Sequence, residues 1–324
     1  MRLISKIQVA IRNPKRLYFY ITRFNVIRKS SSIAHALGYL SKEIIGINFY
    51  LKLLELLNRG NLIKIQLRHD NDTYLYVDLH DEGISRDLLL YRQREVETTK
   101  AFKSYLELGQ TVIDIGSNIG YYVLMEAAKV SSRGRVYAIE ASPHNVEILR
   151  KNVEFNRYKN IVDIEFAAIS DKSGTAKLHI TNRSNLHTLT RVPEMDKYVK
   201  FKNVFDIPAF TLDDFIKYKG IEARSIDVIR MDIEGHEVNA LKGMSKTLKK
   251  AGSLILFIEI HPKLIKQNPD YTYESFLREL NSHGFELMES FLSLSSRVDK
   301  RINLNKINDL LIFHEAVELI LRKS

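Results

Sequence analysis

A chain of 324 residues with no cysteine and a net charge of +10 excludes disulfides, thiolate metal centres and cysteine nucleophiles. It is long enough for one large α/β domain with additions, and at 45% hydrophobic residues it can build a sizeable core. No run of about 18 uncharged apolar residues occurs, so no spanning helix is expected.

The charge is unevenly placed. Positions 1–60 hold eleven basic residues against Glu43 and Glu55, a net of +9, which leaves +1 for the other 264 residues. The start, MRLISKIQVAIRNPKR, is basic but lacks the apolar stretch and cleavage site of a secretory signal, and a cytoplasmic location is expected. Leu3, Ile4, Ile7, Ala10 and Ile11 form a helical stripe. Asn13-Pro14 starts a second helix striped by Leu17, Tyr18, Ile21 and Phe24, and Ile33–Leu57 reads as a third. Two readings of residues 1–60 stand side by side: a helical lid packed on the domain, or a peripheral segment lying on an anionic membrane surface.

Residues 61–94 follow as a strand hairpin and linker, with Leu62–Leu67 and Tyr74–Leu79 around an acidic turn. The third region, 95–324, opens with an amphipathic helix, Glu95–Leu106. Next comes VIDIGSNIG, 112–120: an apolar strand ending in Asp114, then the glycine-spaced turn Gly116, Ser117, Asn118 and Gly120, then a helix from Tyr121. Twenty residues past Gly120 the strand RVYAIE ends in Glu140, where a carboxylate can accept hydrogen bonds from a ribose diol. A dinucleotide would put its pyrophosphate at the helix N-terminus, and Asp114 would repel it. A sulfonium and an ammonium would be attracted instead. The spacing D-x-G-x-N-x-G also differs from G-x-G-x-x-G. S-adenosylmethionine is therefore the expected cofactor, ahead of NAD.

Ser142 and Pro143 begin the next helix as cap and first turn. Strands are expected at 162–170, 177–181, within 226–237 together with its turn, at 254–262, from Gly284, and at Asp309–His314. Helices are expected from TLDDFI, over Val238–Lys249 and over Tyr273–His283. Residues 182–207 have no clean period. The alternation implies a mostly parallel sheet with helices on both faces.

The series VIDIGSNIGYY, RVYAIEASPHN, FAAISDKSG, TLDDFI, IDVIRMDIEGHEVNALKG and LILFIEIHP resembles the FkbM-type methyltransferases over roughly 95–315. Ser117 stands where alanine is commoner, and Ala141 where proline is. The resemblance implies a class I fold with a seven-stranded Rossmann-like sheet, here with an N-terminal helical extension. It also implies methyl transfer from S-adenosylmethionine, with hydroxyls of sugars, glycans or secondary metabolites as typical acceptors.

On this reading Asp114, Gly116, Ser117, Asn118 and Gly120 border the methionine part of the cofactor, Glu140 holds the ribose, and Ser142 and Ala168 line the adenine. Glu97 resembles an acid that the family places near the cofactor. Catalysis is assigned to Asp232, at the end of the fourth core strand, with His236 and His261 as base candidates because imidazole titrates near neutrality. Carboxylates beside a sulfonium need no metal, and none is expected. The expected acceptor is a small molecule or glycan. Nucleic acid is disfavoured, because MDIEG stands where base-amino methylation uses an N-P-P-[YF] turn. An RNA methyltransferase and a non-catalytic cofactor-binding protein remain the alternatives. The sequence leaves the oligomeric state open.

Overall fold

The computed structural model describes residues 47–58, 60–68, 72–191, 193–261, 272–295, 298–302 and 316–324. The first two expected helices, most of the basic segment and the strand expected at Asp309–His314 lie outside them. The first described element is helix α1, Ile47–Leu57. No helix among the described residues is long and apolar enough to cross a membrane.

Strands β1 (Leu62–Gln66) and β2 (Tyr74–Asp78) pair antiparallel, Leu62 opposite Asp78 and Gln66 opposite Tyr74. Helix α2, Ile84–Tyr91, and helix α3, Val96–Tyr105, lead to the first core strand. The Asp114 motif forms β3 (Thr111–Ile115), the turn and α4 (Tyr121–Val130). Then come β4 (Arg135–Glu140), α5 (Pro143–Phe155) and β5 (Val162–Phe166). Ser142 caps α5 as its sequence predicts: its side chain accepts from the Asn145 N–H.

The hairpin is held against α5 by two asparagines one turn apart. Tyr76 N–H donates to Asn152 Oδ1 at 2.6 Å and Asn152 Nδ2 donates to Tyr76 O at 3.1 Å. Asn156 repeats the exchange with Tyr74 at 3.1 and 2.7 Å. Spaced i and i+4, the two amides lie on one helix face and substitute for a neighbouring strand along β2. Asn152 Nδ2 also donates to Ile119 O at 2.8 Å, inside the glycine turn.

After the short β6 (Ala168–Ile169) and β7 (Gly174–Thr181), the aperiodic stretch gives way to a ten-residue strand, β8 (Phe201–Phe210). This corrects the irregular reading of 182–207. Residues Lys202–Asp206 of β8 are exposed on both faces, so the strand carries no alternation for a sequence reading to find. β6, β8 and β7 form a separate three-stranded sheet.

Next come α6 (Leu212–Lys219), β9 (Val228–Met231), α7 (Glu237–Gly243), α8 (Ser245–Lys250) and β10 (Leu254–Ile260). The chain closes with α9 (Tyr273–Ser282), β11 (Phe285–Ser295), β12 (Val298–Ile302) and β13 (Val317–Lys323).

The main sheet runs β12-β11-β13-β10-β9-β3-β4-β5. From β10 to β5 the pairs are parallel, and β13 is antiparallel to both β10 and β11. Without the edge strand β12, this is the seven-stranded class I order. The chain leaves β3 toward β4 on one side and returns at β9 on the other, so a crevice opens at the carboxyl ends of β3 and β9. Apolar layers fill both faces. Val112 points to the face under α4 and α5, and Ile113 and Ile115 to the face under α6 and α7.

Candidate functional site

A cavity lies over the carboxyl ends of β3, β4 and β9. Its lining includes Gly116, Ser117, Asn118, Glu140, Ala168, Asp232 and His236 from the sequence assignment. The turn beneath it forms for a steric reason. Gly116 has φ +86°, and a Cβ there would stand 2.0 Å from the Asp232 carbonyl oxygen. Only glycine lets the two strand ends close up so tightly.

Glu140 is 6% exposed. Its Oε2 accepts from Asn118 N–H at 2.8 Å, and its Oε1 accepts from Ser142 N–H at 2.8 Å and from Asn145 Nδ2 at 3.3 Å. Burial pushes its carboxyl up to about 7, against the pull of those donors. The carboxylate thus fixes the turn and still keeps lone pairs for a ligand.

Four residues assigned to the cofactor lie outside the lining. Asp114 does not line the cavity. It follows Val112 in strand parity, so it points down between the sheet and α4, fully buried. There it accepts from Arg230 Nη1 at 3.3 Å and lies against Glu126, which is also fully buried. Ser142 is a helix cap, 1% exposed and absent from the lining, and Gly120 is the residue before α4. Glu97 is on the exposed side of α3, paired with Lys100 at 3.1 Å. The acid on the cavity wall is Glu95, two residues earlier, turned inward by a left-handed backbone (φ 38°).

Glu95 brings partners that spacing does not reveal. Its Oε1 accepts from Arg94 Nη2 and its Oε2 from the Tyr122 hydroxyl, each at 2.8 Å. Across the crevice Arg230 donates to Asp114 and also to Asp232 Oδ2, at 3.1 Å, with its guanidinium 4.0 Å from the Tyr122 ring centre. Burial pushes the Asp232 carboxyl up, but Arg230, a hydrogen bond from Glu259 and nearby His261 outweigh it, so Asp232 stays below its ordinary value. Asp232 is therefore an ionised carboxylate on the cavity wall.

The histidines separate. His236 lines the cavity with both ring nitrogens engaged: Nε2 lies 2.9 Å from Ser170 Oγ and Nδ1 3.1 Å from Thr190 Oγ1. The Ser170 hydroxyl donates to Asp171 at 3.0 Å, so Nε2 carries the proton and Nδ1 accepts from Thr190. Burial keeps this ring neutral by lowering its pKa. His261 lies outside the lining, with Nε2 3.2 Å from Glu234 Oε2 and Nδ1 3.1 Å from Glu237 Oε1. Burial would lower it, but the two glutamates hold it charged, well above its ordinary value. Paired with two carboxylates and set back from the cavity, this ring is not placed to take an acceptor's proton, which corrects that assignment.

The wall opposite is clasped by Asp81. Its carboxylate accepts from Gly83 N–H at 2.9 Å, Ser85 N–H at 2.8 Å, Ser184 N–H at 2.7 Å and the Ser184 hydroxyl at 2.8 Å. Ser184 O accepts in turn from Asn118 Nδ2 at 3.1 Å, and Thr188 Oγ1 donates to Glu234 O at 2.9 Å. Segment 184–189 is thereby tied to both sides of the crevice. His187, also on this wall, is pushed down to about 4 by burial.

The family profile described as Methyltransferase FkbM domain matches residues 114–287. A Sulfolobus acidocaldarius protein named "Probable cobalt-precorrin-6B C(15)-methyltransferase (decarboxylating)" is 26% identical over 175 residues, covering 52% of this chain and 86% of that one. A protein-L-isoaspartate O-methyltransferase of Methanothrix thermoacetophila is 38% identical over 56 residues, 17% of this chain and 27% of that protein. Among solved structures, a SAM-dependent methyltransferase from Aquifex aeolicus superposes with a TM-score of 0.39 at 17% identity, over 70% of this chain and 90% of that one.

Proposed function

The chain belongs to the FkbM methyltransferase family, and from that premise we propose that this S-adenosylmethionine-dependent methyltransferase methylates a hydroxyl on a sugar, glycan or secondary metabolite. The cavity chemistry suits that cofactor. Arg94 and Arg230 are each paired with two carboxylates, so their charge is already balanced and does not favour a pyrophosphate. Glu95, Asp232 and Glu234 supply the negative wall that an ammonium and a sulfonium need, and Glu140 the acceptors for a ribose. Ile139, Ala167, Ala168 and Ile169 offer an apolar slot for an adenine.

When bound, the cofactor supplies an electrophilic methyl on a sulfonium, whose C–S bond breaks as the acceptor oxygen bonds the carbon and the electron pair passes to sulfur. The protein's role is to place the oxygen in line and take its proton. The observation that carries the reading is the ionised Asp232 carboxylate, facing the cavity at the end of β9 and locked by Arg230. It can accept the acceptor's O–H and orient the oxygen lone pair. His236 holds the Asp171 loop and Thr190 against the start of α7, a positioning role.

The test is transfer of labelled methyl from S-adenosylmethionine by the full chain into three separate pools: glycans and sugars, tRNA, and protein. Label recovered as a methyl ether in the first pool is expected; label confined to tRNA or protein overturns the reading. Both readings of the +9 segment 1–60 stay open: as a lid on the domain it would bind no vesicle, and on an anionic membrane surface holding the acceptor each basic residue would contribute about 1 kcal/mol; the second is the one tested. The full chain is then expected to sediment with anionic vesicles at low salt and to be released at high salt.

A further inference from the structure

Behind the cavity wall stands a second group of ionisable side chains that the methyl-transfer reading leaves unused. Glu234, Glu259 and His261 each offer one ligand atom, and the three atoms lie within 4.8 Å of one another. They come from the carboxyl end of β10 and the turn after β9, adjacent parallel strands of the main sheet. Two bonds of about 2.1 Å reach about 4.2 Å across an ion, so movements well under an ångström would close the three atoms on one.

Two further features set this group apart from an ordinary acidic patch. The first is the orientation of His261. Glu237 is fully buried; its Oε1 faces His261 Nδ1 at 3.1 Å and accepts from Gly235 N–H at 3.0 Å. A carboxylate on Nδ1 aims Nε2 at Glu234, and an ion there would displace the Nε2 proton, giving the arrangement that metal-bound histidines adopt. The second is Glu318. It sits directly opposite Glu259 in the β10–β13 register, so both side chains project from the same face. Glu318 is 4% exposed, and its Oε2 has no hydrogen-bond partner among the described residues. The Arg230 guanidinium lies near enough to favour the charge of Glu318, but Oε2 is left without a donor, and a buried oxygen so placed still needs a partner.

The cofactor's own positive charge does not meet this need. Asp232 and Glu234 line the cavity, but Glu259, His261, Glu237 and Glu318 do not.

We propose that Glu234, Glu259 and His261 bind a divalent transition-metal ion, with Glu237 orienting the histidine and Glu318 supplying charge beside it. One imidazole with two carboxylates suits Mn2+ or Zn2+ better than Ca2+ or Mg2+, which favour all-oxygen sets. The ion reverses the expectation of a metal-free site. Its catalytic role rests on the hydroxyl reading above: reached past Glu234, which faces both cavity and ion, it would ligate the acceptor oxygen and ease loss of its proton. Its binding does not rest on that reading.

The experiment is titration of chelator-stripped full chain with Mn2+, free ion being read by electron paramagnetic resonance, with and without S-adenosylmethionine. One saturable site per chain is expected in both cases, displaced by Zn2+. Glu259→Gln and His261→Asn should each weaken Mn2+ by at least tenfold, and Glu237→Gln by about tenfold, while cofactor affinity stays within threefold. Circular dichroism monitors folding, and Glu259→Asp, which keeps the charge and shortens the side chain, serves if a neutral variant unfolds. Absence of saturable binding up to 1 mM Mn2+, on the order of the weakest physiological sites, overturns the proposal. So does binding that Glu259→Gln, Glu259→Asp and His261→Asn leave unchanged. Because no acceptor enters the assay, a failure here leaves the methyl-transfer reading intact, and a failed acceptor screen leaves the metal site intact.

Discussion

The two sides of the crevice are built on different principles. On the β3–β4 side the main chain does the work: a glycine turn presents N–H groups, and one carboxylate, Glu140, gathers two of them. On the β9–β10 side nearly every contact is between charged side chains: Arg230 with Asp114 and Asp232, and His261 with Glu234 and Glu237. A backbone site tolerates change in its side chains, whereas a buried charge network fails when one member is removed. The first side suits a constant ligand, and the second can be altered residue by residue to suit different acceptors.

The largest expected effect comes from breaking the charged side at its centre. Arg230→Met strands Asp114 and Asp232 without a cation and should lower unfolding free energy by about 3–5 kcal/mol, read by urea denaturation. A loss below about 1 kcal/mol would mean that the two acids do not depend on Arg230. Asp232→Asn keeps the shape and removes the charge. Turnover should fall by about 10²–10⁴-fold with cofactor affinity nearly unchanged, a split that single-turnover kinetics and calorimetry resolve; equal losses in both would place Asp232 in cofactor binding alone.

The backbone side answers to pH. Glu140 has its folded value raised to about 7 from an ordinary 4.5. Between those values the folded chain holds a proton that the unfolded chain has released, so this group's contribution to stability is present below about 4.5 and is lost as pH rises through about 7. Ribose hydroxyls donate to the charged form, so cofactor affinity should strengthen over the same rise. Glu140→Gln should flatten both trends and weaken cofactor binding by about 1–3 kcal/mol. Thermal melts and calorimetry at pH 5.5, 7 and 8 compare the two proteins; parallel pH curves would remove Glu140 from ribose binding. The smallest effect is expected at the hairpin. Asn156→Ala unties Tyr74 from α5 and should cost about 1 kcal/mol of stability without touching cofactor affinity, and a changed cofactor affinity would show that the hairpin shapes the cavity.

The backbone side is also the legible side. Glycine spacing and the distance to Glu140 are local properties, and they locate the turn, the strands beside it and the cofactor class. The charged side depends on residues far apart in the chain. Arg230 meets Asp114 because β9 and β3 pair in register, and His261 meets its glutamates across 24 and 27 positions. The cofactor role expected of Asp114 fails because strand parity says which residues share a face, not which face is covered. Glu97 stands in the sequence reading where the structure puts Glu95, because the left-handed turns at Arg92 and Glu95, which swing Glu95 inward, leave no periodic trace. The strand Phe201–Phe210 escapes the sequence reading because solvent on both sides erases alternation.

Asp81 adds a consequence of another kind. Of the four donors on Asp81, those of Gly83 and Ser85 belong to its own segment and the two of Ser184 come from across the gap, so the segments around Gly83 and Ser184 cannot part at one Ser184 bond without bending the other. Opening of that wall is a collective event, slow compared with side-chain motion. Entry of a fresh cofactor and escape of the spent one past that wall then run on a clock set by the clasp, and weakening Asp81 would quicken exchange while leaving the bound geometry unchanged.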